Sequence, residues 1–137
     1  MELILIQKRI IELRGLRVML DFQLAELYGV RTKVLTQAVK RNSKRFPHDF
    51  MFQLTRDEFE ILRSHFVTSK TEKRGGTRYL PYAFTEHGIT MLSSVLNSDT
   101  AIEVNINIVR AFILLKQYNY DFRLLQKRID EMESTFK

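Results

Sequence analysis

Cysteine is absent from the 137-residue chain. That excludes a disulfide framework, thiolate zinc sites, iron–sulfur clusters and a cysteine nucleophile. No apolar run approaches the roughly 20 residues that span a bilayer, so no transmembrane segment and no membrane partner is expected. The apolar stretch at residues 3–6 is followed, not preceded, by Lys8 and Arg9, and no small-residue cleavage site comes after it. No signal peptide is expected, and a cytoplasmic protein is. Catalytic signatures are missing too. His48, His65 and His87 stand alone, without a carboxylate at metal-ligand spacing. There is no glycine-rich phosphate loop after a strand and no nucleophile elbow. Thr85, Glu86 and His87 are neighbours in sequence and point in different directions, as at a helix start. The chain therefore reads as no enzyme, with no cofactor and no metal. Internal repeats and low-complexity segments are also lacking.

Hydrophobic residues make up 45% of the chain. That is enough core for one domain, or for a small domain with an appended helix, and it argues against wholesale disorder. Lys and Arg number 22 against 16 Asp and Glu, a net charge of +6. The surplus is local. Arg31, Lys33, Lys40, Arg41, Lys44 and Arg45 share a segment without an acid, and removing these six leaves 16 bases against 16 acids. A concentrated positive patch on a balanced domain is the footprint of a polyanion binder. A solvated, solubilising helix face would give the same arithmetic.

Residues 3–6 and 16–20 read as strands around a turn at Gly15, and residues 10–13 fit strand or helix. Asp21 is placed to cap a helix over 22–28, which Gly29 stops, and Thr32 to cap a second over 32–42. A strand is expected at 50–54. Thr55 and Glu58 form a capping box that opens a helix to about residue 65. A further helix fits 86–96, and a second box, Thr100 with Glu103, opens the last one.

Residues 21–45 have the spacing of a helix-turn-helix. Ala25 is small where two helices would cross, Gly29 tolerates positive φ at the turn, and Leu24, Val30, Leu35 and Ala38 can lock the pair. The second helix then turns Lys33, Thr36, Gln37, Lys40 and Arg41 to one face. Lysine and arginine suit phosphates or guanine edges, Gln37 suits adenine, and Thr36 can offer a methyl or hydroxyl contact. Arg31 and Thr32 lie at the helix start, where backbone N–H groups favour a phosphate, and Lys44 and Arg45 flank its end. An ordinary helical hairpin with a basic outer face is the competing reading.

Residues 66–84 read as a long β-hairpin whose tip holds Lys70, Lys73, Arg74, Gly75, Gly76 and Arg78. Pro81 would confine its strand to an edge or a bulge. A basic hairpin after a helix-turn-helix is the arrangement of a winged helix, although Glu72 also lies in the tip, and a loop without function remains the alternative.

In the last helix Ala101, Val104, Ile108, Ala111, Leu115, Tyr118, Phe122, Leu125, Ile129, Met132 and Phe136 form a heptad seam. A second set, Ile102, Ile106, Val109 and Ile113, runs beside it, so this part is expected to pack into a core on two sides. Beyond Tyr118 only the seam persists. The division expected is a domain over 1–115 and a coiled-coil helix over 116–137, leading into a longer C-terminal region or ending as a short coil. Folding of 119–137 back onto the domain is the alternative. The aromatics fall mostly on apolar faces and read as core.

The blocks 14–21, 24–30 and 39–42, with Arg45-Phe46-Pro47, 49–54, 79–86 and 91–96 following in order, resemble the phage "ORF-six" N-terminal domain family, related to KilA-N and Bro-N domains. The resemblance covers about residues 10–115. It implies a DNA-binding domain of phage or prophage regulators, often antirepressor-like, ahead of a variable C-terminal region. His87 and Asn42 match family positions without a catalytic role. The expectation is therefore an α+β, winged-helix-like helix-turn-helix domain with a β-hairpin wing and a long C-terminal helix. It would bind double-stranded DNA with sequence preference, as a transcription regulator or antirepressor, and form a homodimer through that helix. The alternatives are a protein-interaction module that binds a repressor or other acidic partner, and a coiled-coil adaptor.

Overall fold

Arg14 and Gly15 both have positive φ, 54° and 74°. The two central positions of a type I′ hairpin turn need that conformation. Across this turn β1 (Ile11–Leu13) and β2 (Leu16–Leu20) pair antiparallel, which settles residues 10–13 in favour of strand. The computed structural model describes residues 3–64 and 79–135. Two further strands, β3 (Met51–Gln53) and β4 (Tyr82–Thr85), complete an antiparallel sheet of order β1-β2-β4-β3. The helices are α1 (Leu3–Gln7), α2 (Asp21–Tyr28), α3 (Thr32–Arg41), α4 (Arg56–Arg63), α5 (Glu86–Leu96) and α6 (Asp99–Thr135). The architecture is α+β with a long C-terminal helix.

Both faces of the sheet are covered here, so Val18, Met19 and Leu20 of β2 alternate between two cores while all three stay buried. Met19 and Phe84 join Leu24, Leu35, Ile89, Ile108 and Phe112 in the larger core, beneath α1, α2, α3, α5 and α6. Val18, Leu20 and Ala83 point the other way, against Leu54 and the α4 residues Phe59 and Leu62. Thr55 and Glu58 make both bonds of the capping box that opens α4. Arg14 ties the hairpin to this layer. Its guanidinium grips Glu58 at 2.9 Å through two nitrogens and lies 4.1 Å from the centre of the Phe52 ring.

Five expectations need correction. Residues 3–7 are helix, not strand: Leu3 and Ile6, three apart, pack on the core while Ile4 and Leu5 stay exposed. Asp21 is the first residue of α2 rather than its cap, and it is fully buried. One carboxylate oxygen accepts from the Phe22 N–H at 2.7 Å and the other from the Tyr82 N–H at 3.1 Å, stitching α2 to β4. Burial outweighs these two bonds and pushes the Asp21 carboxyl up to about 7. Thr32 does not cap α3 either; Arg31 stands at the cap position, without a side-chain hydrogen bond. Thr100 does not open α6, because Ser98 Oγ accepts from the Ala101 N–H at 3.1 Å and the helix starts at Asp99.

The fifth correction concerns residues 79–84. They do not form an edge strand, because β4 is hydrogen-bonded on both sides. Pro81 is tolerated because it precedes the first strand residue, where its carbonyl accepts from the Leu54 N–H. The other arm of the expected wing and its tip, with Lys70, Lys73, Arg74 and Arg78, lie outside the described residues.

Candidate nucleic-acid interface

The segment between residues 21 and 45 is held from behind. Leu24, Ala25 and Tyr28 of α2 and Leu35 and Val39 of α3 are buried together. Gly29 ends α2 with φ 71°, and the Val30 N–H returns to the Ala25 carbonyl at 3.0 Å. Such a closure consumes carbonyls that a helix end leaves orphaned. Only Gly29, Val30 and Arg31 separate the two helices. Tyr28 also donates a buried hydrogen bond to Asn105 Oδ1 of α6, and Asn105 Nδ2 donates to the Ile89 carbonyl of α5 at 2.9 Å. Three helices thus share one polar chain, which sets the angle of α2 to the long helix.

With Leu35 and Val39 inward, the opposite side of α3 faces solvent. Lys33, Gln37, Lys40 and Arg41 are exposed on it, and Arg31 precedes them, also exposed. Among the described residues none of these five side chains makes a hydrogen bond or ion pair, and the four ion pairs lie elsewhere, at Arg9–Glu26, Arg14–Glu58, Arg63–Glu60 and Lys116–Glu86. The cations are therefore not neutralised by acids among the described residues. Thr36 sits differently: it is half-buried at the margin, and its hydroxyl donates to the Lys33 carbonyl. Thr32 is half-buried at the first turn. Val34 was missed in the sequence because a valine on a helix reads as core; here it is 47% exposed, three residues before Gln37 on the outward face.

Asn42 Nδ2 closes α3 on the Ala38 carbonyl at 2.8 Å, and a 3₁₀ turn (Ser43–Arg45) follows. Phe46, buried edge-on against Phe84 with ring centres 6.0 Å apart, anchors this turn. Lys44 and Arg45 are exposed there, and Arg45 reaches Ser94 of α5 at 3.5 Å. Thr85 caps α5 through the Gly88 N–H, and His87, exposed, stacks on Phe50 with ring centres 5.5 Å apart. Among the described residues no group of three or more histidines and carboxylates could hold a metal ion, and no helix is long and apolar enough to cross a membrane.

An α+β domain that displays an exposed cationic helix is the class these features define. The ORF6N domain model matches residues 8–95, well over half of the chain, and the chain belongs to the ORF6N domain family. No curated protein and no solved structure matches it.

Proposed function

We propose that this chain binds double-stranded DNA with sequence preference, as a domain of a phage- or prophage-type transcription regulator or antirepressor in the cytoplasm. In this reading α2 and α3 act as a helix-turn-helix of winged-helix type and α3 enters the major groove. The observation that carries it is the outward face of α3, where Lys33, Gln37, Lys40 and Arg41 are exposed and, among the described residues, unpaired, on a helix braced by buried Leu35 and Val39. A helix about 10–12 Å across suits a groove about 12 Å wide. Arg31, Lys33, Lys40, Arg41, Lys44 and Arg45 meet phosphates or guanine edges, and Gln37 meets adenine. Val34 adds a methyl contact to thymine. The tip cations Lys70, Lys73, Arg74 and Arg78 would reach the flanking backbone or minor groove.

Beyond residue 116 every described side chain of α6 is exposed, including the seam residues Tyr118, Phe122, Leu125, Ile129 and Met132. Pairing of two chains through this seam would present two reading helices to one duplex and raise avidity through effective concentration. Selection of duplexes from a random pool at physiological salt tests the reading, run on the wild type and on a Lys40→Ala, Arg41→Ala variant. Enrichment of a common sequence by the wild type and its loss in the variant is expected. A protein partner retained stoichiometrically after nuclease treatment, with no duplex affinity, would instead favour an interaction module.

A further inference from the structure

The part of α6 that belongs to the domain carries an apolar stripe that stays largely exposed. Ile102, Ile106 and Ile113 are 45%, 47% and 53% exposed, and Val109 between them is half-buried. The sequence predicted core on both sides of this helix. Only the side holding Ala101, Val104, Ile108 and Ala111 is buried, and the stripe lies roughly opposite. The free seam beyond residue 116 continues the core-facing side, so pairing through it leaves the stripe bare.

The four stripe residues recur at steps of four, three and four, the spacing of alternating d and a positions. The next such positions are Asp99 before them and Lys116 after them. On one flank stand Glu103 and Arg110, both exposed, with side chains free of hydrogen bonds and ion pairs among the described residues. A second copy of the helix, laid antiparallel about the point between Asn107 and Ile108, matches along the stripe. Ile102 meets the partner's Ile113, Ile106 meets the partner's Val109, and Glu103 meets the partner's Arg110; Asp99 falls opposite the partner's Lys116, whose ammonium is already paired with Glu86 of its own chain. Two-fold symmetry makes each pair twice. A parallel copy would instead set Asp99 on the same aspartate, which like charges oppose, and would separate Glu103 from Arg110.

We propose that residues 99–116 of α6 form an antiparallel, two-fold contact with the same segment of a second copy. The aliphatic residues drive it, and the exposed ion pairs fix direction and register more than affinity. It is independent of DNA binding. It is also distinct from the C-terminal seam, so a chain using both contacts assembles beyond a dimer.

Sedimentation equilibrium of the full chain at about 100 µM, a concentration suited to so short an interface, reads the assembly. Ile106→Glu should lower the mass of the largest species two-fold. Glu103→Arg should weaken the association about five-fold, and adding Arg110→Glu to it should restore it. Because cysteine is absent, disulfide trapping reads the register. Ile102→Cys chains mixed with Ile113→Cys chains should crosslink to each other, and neither should crosslink alone. The substituted side chains are exposed, so unchanged melting separates lost pairing from lost folding. A monomeric wild type, an Ile106→Glu chain of unchanged mass, or Ile102→Cys crosslinking with itself would overturn the proposal.

Discussion

Salt dependence offers the most demanding test of the duplex reading. Six cations, Arg31, Lys33, Lys40, Arg41, Lys44 and Arg45, project from α3 and the turn after it, without an acid partner among the described residues. If each neutralises one phosphate, the released counterions give a log–log slope of affinity on salt near −5. Replacing Lys40 and Arg41 by alanine removes two of the six and should flatten the slope to about −3.5, with affinity falling about 60-fold at 0.1 M salt. Neither side chain makes a hydrogen bond or ion pair among the described residues, so the melting temperature should stay where it was. Fluorescence anisotropy of a labelled duplex between 50 and 300 mM salt, with a circular-dichroism melt of each protein, makes the measurement. A slope that the double substitution leaves unchanged would refute the placement of α3 on the phosphates, whatever the absolute affinity.

Further expectations follow from the buried polar groups and close contacts. The Asp21 carboxyl is raised from 3.8 to about 7 by burial, so the folded state binds its proton more tightly than the unfolded chain. Its contribution is complete below about pH 4 and is lost as pH rises through 7, a span on the order of 4 kcal/mol. Stability should therefore fall from pH 5 to pH 8 in the wild type and stay nearly flat in Asp21→Asn; parallel profiles by chemical denaturation would sink this assignment. A Cβ on Gly88 would stand 2.1 Å from the Phe50 carbonyl oxygen, so Gly88→Ala should destabilise by roughly 2 kcal/mol, read as a lowered denaturation midpoint. Asn105→Leu leaves the Tyr28 hydroxyl and the Ile89 carbonyl without their buried partner and should cost about 1–3 kcal/mol. Tyr28→Phe in the same background should then cost almost nothing more, and an additive double-mutant cycle would argue against coupling. Replacing thymidine by deoxyuridine in a selected duplex should weaken the wild type about 4-fold at one position, the worth of one buried methyl. The Val34→Ala protein should barely distinguish the two duplexes.

Local chemistry made much of this protein legible in advance. Thr55 with Glu58, Gly29 after Tyr28, and the runs that became α5 and α6 are decided by neighbours three to five residues away, and sequence displays those directly. The acid-free stretch from Arg31 to Arg45 is likewise a one-dimensional fact, and it needed only the burial of Leu35 and Val39 to become a face. Misreadings arose where distant residues compete for the same groups. Asp21 could cap its own helix, yet β4 supplies the Tyr82 N–H from 61 positions away. Residues 3–6 have strand-like composition, but packing against the core that includes α6 rewards a helical spacing of three. Residues 79–84 looked like an edge because proline lacks a donor, and only the arrival of β3 on one side and β2 on the other made that strand central.

The sequence by itself determined the charge distribution, the capping box that opens α4, the glycine that stops α2, the seam of the last helix and membership of a family. All of these follow from residue identity at short spacing. Tertiary structure alone decided the strand order, the burial of Asp21, the outward turn of Val34 and which apolar face of α6 stays uncovered. Each of those depends on which surfaces compete for burial, and a single helix with two apolar sides carries no record of which one its own domain will use.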